Sequence, residues 1–184
     1  DRSARGESLS GLAVVGPHMP RVAIVSDPHV PSRKRAVPDW VGDELERADH
    51  AIHAGDFDSQ RVYDRIAALA NGELTAVRGN TDPPTLGLPH ADTLEIDGVT
   101  FAVTHGAGSP AGWQRRVVET ARAESVTAEP VAVAGHTHEV VDTTVDGLRV
   151  LNPGSATGAA PADRATMYVV TVTDGTLTVE LRTE

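Results

Sequence analysis

Five stretches of this chain run from apolar residues straight into side chains that bind metal ions. The run VAIVSDPH from Val22 ends in Asp27 and His29, AIHAGD from Ala51 ends in Asp56, and LTAVRGN from Leu74 ends in Asn80. The run VTFAVTH from Val99 ends in His105, and VAVAGHTH from Val131 ends in His136 and His138. Such mixed His, Asp and Asn donors without sulfur suit borderline divalent ions: Mn first, with Ni, Co, Fe or Zn also compatible. Seven ligands exceed what one ion uses, but they suit two ions that share a bridging carboxylate, and such a pair can clamp the oxygens of a phosphoryl group. Taken singly, each group has a plain structural use: Asp56 or Asp82 as a cap, Asn80 in a turn, His105 in a core. All seven together, at the ends of five strand-like runs, point to a metal-dependent enzyme.

To bring these groups together, the strands must end on one edge, as in open α/β folds whose ligands bind beyond the carboxyl ends of the strands. Asp27 and His29 are two apart, so an extended backbone projects both the same way, and Pro28 stiffens the segment between them. His136 and His138 repeat that spacing, with Gly135 expected to permit a tight turn. Between the strands, Pro38 opens a helix with Trp40, Val41 and Leu45 on one face. Asp58 or Ser59 caps a second with a Val62, Ile66 and Leu69 stripe, stopped by Asn71-Gly72. Ser109-Pro110 opens a third carrying Trp113, Val117 and Ala121.

The second half reads as strand pairs. Leu94–Ile96 and Val99–Thr104 meet across Asp97-Gly98, Val140–Val145 and Leu148–Leu151 across Asp146-Gly147, and Thr166–Val172 and Thr176–Leu181 across Asp174-Gly175. Asp-Gly between two strands is a type I′ hairpin signal. Two sheets face to face with helices outside would satisfy both halves.

A length of 184 residues suits one domain, which we place at residues 20–184. Residues 1–19 read as a leader, disordered or appended, with an edge strand through Leu12–Val15 as the alternative. No stretch approaches the run of about 20 apolar residues that spans a bilayer. There is no cysteine, which excludes disulfides and thiolate sites. Acidic residues outnumber basic ones, 26 to 16, giving a net charge of −10, and Lys34 is the sole lysine. That balance argues against nucleic acid and anionic membranes as partners and fits a salt-adapted, cytoplasmic protein that low salt destabilises.

The ordered set D-x-H, G-D, G-N, H-G, G-H-x-H resembles the calcineurin-like metallophosphoesterases over Asp27 to His138. The small size, GNTD (Gly79–Asp82) and NPGS (Asn152–Ser155) are most similar to their small bacterial and archaeal phosphodiesterase branch, which also resembles vacuolar sorting protein 29. The resemblance implies an α/β fold, a four-layer α/β/β/α sandwich. It implies one metal on Asp27, His29 and His138, another on Asn80, His105 and His136, and Asp56 between them. It implies a hydroxide held by both metals attacking phosphorus in line. Two divalent ions, two carboxylates and a hydroxide leave about one positive unit, which matches a small phosphodiester substrate. The alternative is a non-catalytic, metal-binding protein-interaction scaffold on the same fold.

Two positions depart from the family pattern. Many relatives carry a histidine after the G-N pair, where this chain has Thr81, and branch members often read H-G-H where Ala107 stands here. Leaving-group protonation then falls to water or Asp82. Asn80, Arg78, Asn152 and Ser155 are the candidate substrate contacts, with Arg33-Lys34-Arg35 and Arg164 as weaker ones. His53 reads as packed behind the site, and His50 and His90 as surface residues. A homo-oligomer could pair through exposed strands at Val169–Val172 and Leu177–Leu181.

Overall fold

A computed structural model describes residues 18–184. The proposed leader therefore lies, but for its last two residues, outside the described residues, as does the alternative strand through Leu12–Val15.

Ten strands and three α-helices follow β1 (Arg21–Val25), α1 (Asp39–Arg47), β2 (His50–His53), α2 (Gln60–Leu69), β3 (Leu74–Ala76), β4 (Ala91–Ile96), β5 (Val99–Thr104), α3 (Trp113–Glu124), β6 (Val131–Val133), β7 (Val140–Val145), β8 (Leu148–Pro153), β9 (Thr166–Thr173) and β10 (Thr176–Thr183) among the described residues. One five-stranded sheet has the order β10-β9-β1-β2-β3 and the other β4-β5-β6-β8-β7. In the first, β1, β2 and β3 run parallel. In the second, β5, β6 and β8 do so. The five ligand-bearing segments therefore all leave their sheets in the crevice beyond the strand carboxyl ends.

Strand β1 shows why the sheets stack. Val22 and Ile24 turn inward onto Phe101, Val133 and Leu151 of the opposite sheet. Ala23 and Val25 turn outward onto α1 and α2 through Val41, Leu45, Val62 and Ile66. A third apolar cluster joins the far face of the second sheet to α3 through Trp113, Val117 and Ala121. Three apolar interfaces between four layers give the α/β/β/α sandwich. The helix stripes read from the sequence are the buried ones, with Trp40 only half-buried.

Ser59, not Asp58, caps α2, its side chain accepting from the Val62 N–H. Helix α3 starts at Trp113, after Gly112 at φ 76°, because Pro110–Gly112 form a turn rather than a first helical turn. All three Asp-Gly hairpins have positive φ at both residues, as type I′ turns require. Strand β9 is not exposed: Val169, Val170 and Val172 are buried because β9 lies between β1 and β10. The edge on that side of the sheet is β10.

Candidate metal centre

Each candidate imidazole has one nitrogen held by an oxygen and the other turned inward. His105 Nδ1 donates to the Ala54 carbonyl at 2.6 Å, His138 Nδ1 to the Ala159 carbonyl at 2.8 Å, and His136 Nε2 to the Gly108 carbonyl at 2.8 Å. His29 Nδ1 donates to Asp58 Oδ1 at 3.1 Å. A nitrogen that donates outward fixes the tautomer, so four lone pairs face the interior. They sit close together: His29 Nε2 is 3.2 Å from His138 Nε2, and His105 Nε2 is 3.3 Å from His136 Nδ1.

Oxygen donors fill the space between. Asn80 Oδ1 is 3.0 Å from both His105 Nε2 and His136 Nδ1. Asp56 Oδ2 is 3.4 Å from His29 Nε2 and 3.2 Å from His105 Nε2, so one carboxylate oxygen faces both histidine groups. Asp27 Oδ2 accepts from Ser26 Oγ and the His136 N–H. Its buried Oδ1 has no hydrogen-bond partner and points at His138 Nε2 from 3.4 Å. Asp27, His29 and His138 form one compact group, and Asp56, His105 and His136 another. Acceptors converging on acceptors, with one buried carboxylate oxygen unpaired, need cations. The donor set therefore fits two divalent ions.

The electrostatics agree. Burial disfavours a charged His105, yet the hydrogen-bonded Asp56 and the field of Asp27 outweigh it and push its pKa up to about 9. Burial would raise the Asp56 carboxyl, but hydrogen bonding and attraction from His105 hold it well below the usual range. Burial likewise opposes ionisation of Asp27, and the His138 hydrogen bond with the His105 field overrides it. Without cations the site neutralises its carboxylates with protons, which metal binding would displace.

The backbone is strained at these residues. Asp27 (φ 52°), His29 (45°), Asp56 (61°), His136 (73°) and His138 (60°) all occupy the left-handed region. Each such residue costs about 1–3 kcal/mol, and clustering of such strain is a mark of functional sites. Gly135, by contrast, does not turn the chain through a positive φ. It is glycine because a Cβ there would lie 2.1 Å from Ser26 Oγ and 2.4 Å from Asp27 Oδ2.

Three expected contacts have a different placement. Asp82 accepts from the N–H groups of Asp56, Gly79 and Asp58, clasping two ligand loops with both its oxygens. Burial raises its pKa, those three bonds oppose the rise, and the arrangement argues against the proton-donor role read from the sequence. Asn152 is fully buried, donates to the Gly135 carbonyl and Thr137 Oγ1, and accepts from the Gly154 N–H. Ser155 is fully buried and donates to the Asp27 carbonyl. Both brace metal-ligand loops, and with their polar atoms already bonded they are not placed to meet substrate. Arg78 is half-buried beside His105. Arg33 is exposed and donates to the Ala160 carbonyl at 2.7 Å.

Asp58 escaped the sequence reading except as a cap. It accepts from His29 Nδ1, Ser32 Oγ and Thr81 Oγ1, so it orients a ligand. A carboxylate two residues past Asp56, in the same strand-end loop, was the available signal. His53 is packed behind the site as expected, stacked on Phe57 at 3.6 Å with its Nε2 unpartnered. Burial is the main reason its pKa falls to about 3. The folded state thus refuses a proton that the unfolded chain accepts below about 6.5. Stability should fall as pH drops from 6.5 to about 3, by up to about 1.4 kcal/mol per unit from this residue. Urea midpoints at pH 7 and pH 4 check this; a His53→Gln variant with the same acid sensitivity as the parent would refute it.

The family model of the calcineurin-like phosphoesterase superfamily domain matches residues 21–175. A probable metallophosphoesterase of Methanocaldococcus jannaschii is 32% identical over 137 residues, covering 74% of this chain and 68% of that protein. A phosphodiesterase of the same organism is 29% identical over 153 residues, covering 75% of this chain and 85% of that one. The structure of vacuolar protein sorting 29 from Cryptosporidium parvum aligns with TM-score 0.63 at 20% identity, covering 90% and 98% of the two chains, a likeness of fold. Sequence match, sandwich and converging ligands agree: this chain belongs to the calcineurin-like phosphoesterase superfamily.

Proposed function

We propose that residues 20–184 form one metallophosphoesterase domain that hydrolyses small phosphodiesters with two divalent transition-metal ions, Mn foremost. The observation that carries this is the Asp56 carboxylate oxygen facing His29 and His105 at 3.4 and 3.2 Å. Asp27, His29 and His138 would hold one ion, Asn80, His105 and His136 the other, and Asp56 both. When bound, such ions supply Lewis-acid charge at phosphoryl oxygens and acidify a water.

The residues themselves orient the substrate. Asn80 is exposed and His136 half-exposed, so the phosphoryl group enters past them. With its Oδ1 turned to the two histidines, the Asn80 amide nitrogen is left to donate to a phosphoryl oxygen. Among the described residues no side chain is placed to protonate the leaving group: Thr81 Oγ1 donates to Asp58, Asp82 is a clasp, and Ala107 has no proton to give. An imidazole from Ala107→His should therefore raise turnover of alkyl esters, about 10-fold or more, and leave p-nitrophenyl esters nearly unchanged, since general-acid help is worth about 10²–10⁴ where the leaving group needs it. An equal effect on both ester types would overturn this account.

The acidic, lysine-poor surface supports a salt-rich cytoplasm as the setting and speaks against nucleic acid as substrate. No described helix is long and apolar enough to cross a membrane. All seven ligand positions are filled by residues able to hold a metal, which favours an enzyme over a non-catalytic metal-binding scaffold. The test is hydrolysis of bis-p-nitrophenyl phosphate in high KCl after chelation, with add-back of Mn, Ni, Co, Zn or Mg. Activity restored by a transition metal is expected, with the diester preferred over p-nitrophenyl phosphate. No activity from folded, metal-loaded protein would remove the hydrolase reading.

A further inference from the structure

A cavity of about 170 Å³ opens beside His105. Its lining includes Arg78, His90 and Arg116 and no acidic side chain. In a chain with 26 acidic and 16 basic residues, that is a local reversal of charge.

The two arginines differ in how they are held. Arg116 donates to the carbonyls of Gly106, Ser109 and Ala111, which fix its guanidinium without a carboxylate to neutralise it. Arg78 side-chain nitrogens make no hydrogen bond or ion pair with any described residue, so its donors are available. His90 adds a ring N–H at an exposed position. A volume of about 170 Å³ holds roughly five waters at about 30 Å³ each, which a carboxylate or phosphate group could replace. His105 and Gly106 line this cavity, and His105 also belongs to the metal cluster. Arg78 precedes the ligand Asn80 by two residues. One molecule could therefore reach both places.

We propose that this cavity is an anion subsite, and that the substrate carries a second negative group, carboxylate or phosphate, on one arm of its phosphodiester. The proposal rests on the phosphodiesterase reading for what sits at the metals. The planar Arg78 guanidinium fork suits such an oxyanion and adds charge-assisted hydrogen bonds, while Arg116 adds positive charge.

Calorimetry on Mn-loaded protein tests it, at the lowest KCl that keeps the chain folded. The probes are 3-carboxypropyl methylphosphonate and its terminal amide, which share the phosphonate monoanion and differ by one charge. The carboxylate should bind about 10-fold tighter, a preference that shrinks as KCl rises. Arg78→Gln should bring the two probes within about two-fold of each other. Arg78 is half-exposed and its side chain has no partner among the described residues, so its loss leaves no described buried group unpaired. Equal affinities in the parent protein would overturn the proposal. So would an Arg78→Gln variant that weakens both probes alike, since Arg78 would then read the shared phosphonate. Turnover of bis-p-nitrophenyl phosphate by the same preparation reports on the hydrolase alone. Probe selectivity without turnover keeps the subsite and removes the enzyme, and turnover without selectivity does the reverse.

Discussion

Asp56→Asn is expected to lower bis-p-nitrophenyl phosphate turnover by about 10³-fold, the upper end of what removing one preorganised electrostatic contact costs. The reason is its shared position: Asp56 Oδ2 is the oxygen that faces both His29 and His105. Metal content after dialysis should fall with activity, because a neutral amide is a poorer ligand for both ions at once. The metal-free fold should not suffer. Asn can keep the bond that Asp56 Oδ1 now accepts from the Thr81 N–H at 2.9 Å. Its amide N–H₂ would donate to a neutral imidazole lone pair, replacing the charged contact with His105 by a neutral one. Melting temperatures of the metal-free proteins should match within a few degrees. Undiminished turnover in the variant would remove Asp56 from the centre, whereas lost turnover with an unfolded variant would assign it a structural role.

Gly135→Ala is expected to destabilise the metal-free protein by about 3 kcal/mol or more, in the range of overpacking combined with a broken buried network. A methyl there would overlap Ser26 Oγ and Asp27 Oδ2, both on fully buried residues. The neighbouring bond from the His136 N–H to Asp27 Oδ2, 2.9 Å long, would have to open. Metal binding should weaken along with stability, since Asp27, His136 and His138 all move. Gly147→Ala is the matched control. Gly147 has φ 84° in a hairpin turn with nothing within 4 Å of its would-be Cβ, so only the left-handed cost of about 1–2 kcal/mol applies. Chemical denaturation of both variants decides between them. Equal losses would mean that close approach is not what Gly135 provides.

The contrast between those two glycines marks the boundary of what local sequence encodes. Gly147 follows an aspartate between two strands, a pattern complete within four residues, and its turn was legible in advance. The function of Gly135 depends on Ser26 and Asp27, more than 100 residues away. Only folding brings them together.

The same distinction sorts the site. The ligand types, their order and their placement after apolar strands are properties of short segments, and parallel strand ends deliver them to one crevice. The sandwich follows from β1 carrying apolar residues on both faces, together with helix stripes that need a sheet to cover. Asp82, Asn152 and Ser155 could not be placed from the sequence because their chemistry is set by partners distant in the chain. Ser155 Oγ bonds the Asp27 carbonyl across 128 positions, and Asp82 bonds Asp56 across 26. A polar side chain near a site reads the same in sequence whether its donors face substrate or are consumed by backbone. Burial and hydrogen-bond partners decide that. So also for Arg78, His90 and Arg116, which no spacing rule groups, and which meet only because β3, the β4 approach and α3 converge beside His105. The sequence determined which atoms could bind metal; the tertiary structure decided which polar groups remain free for anything else.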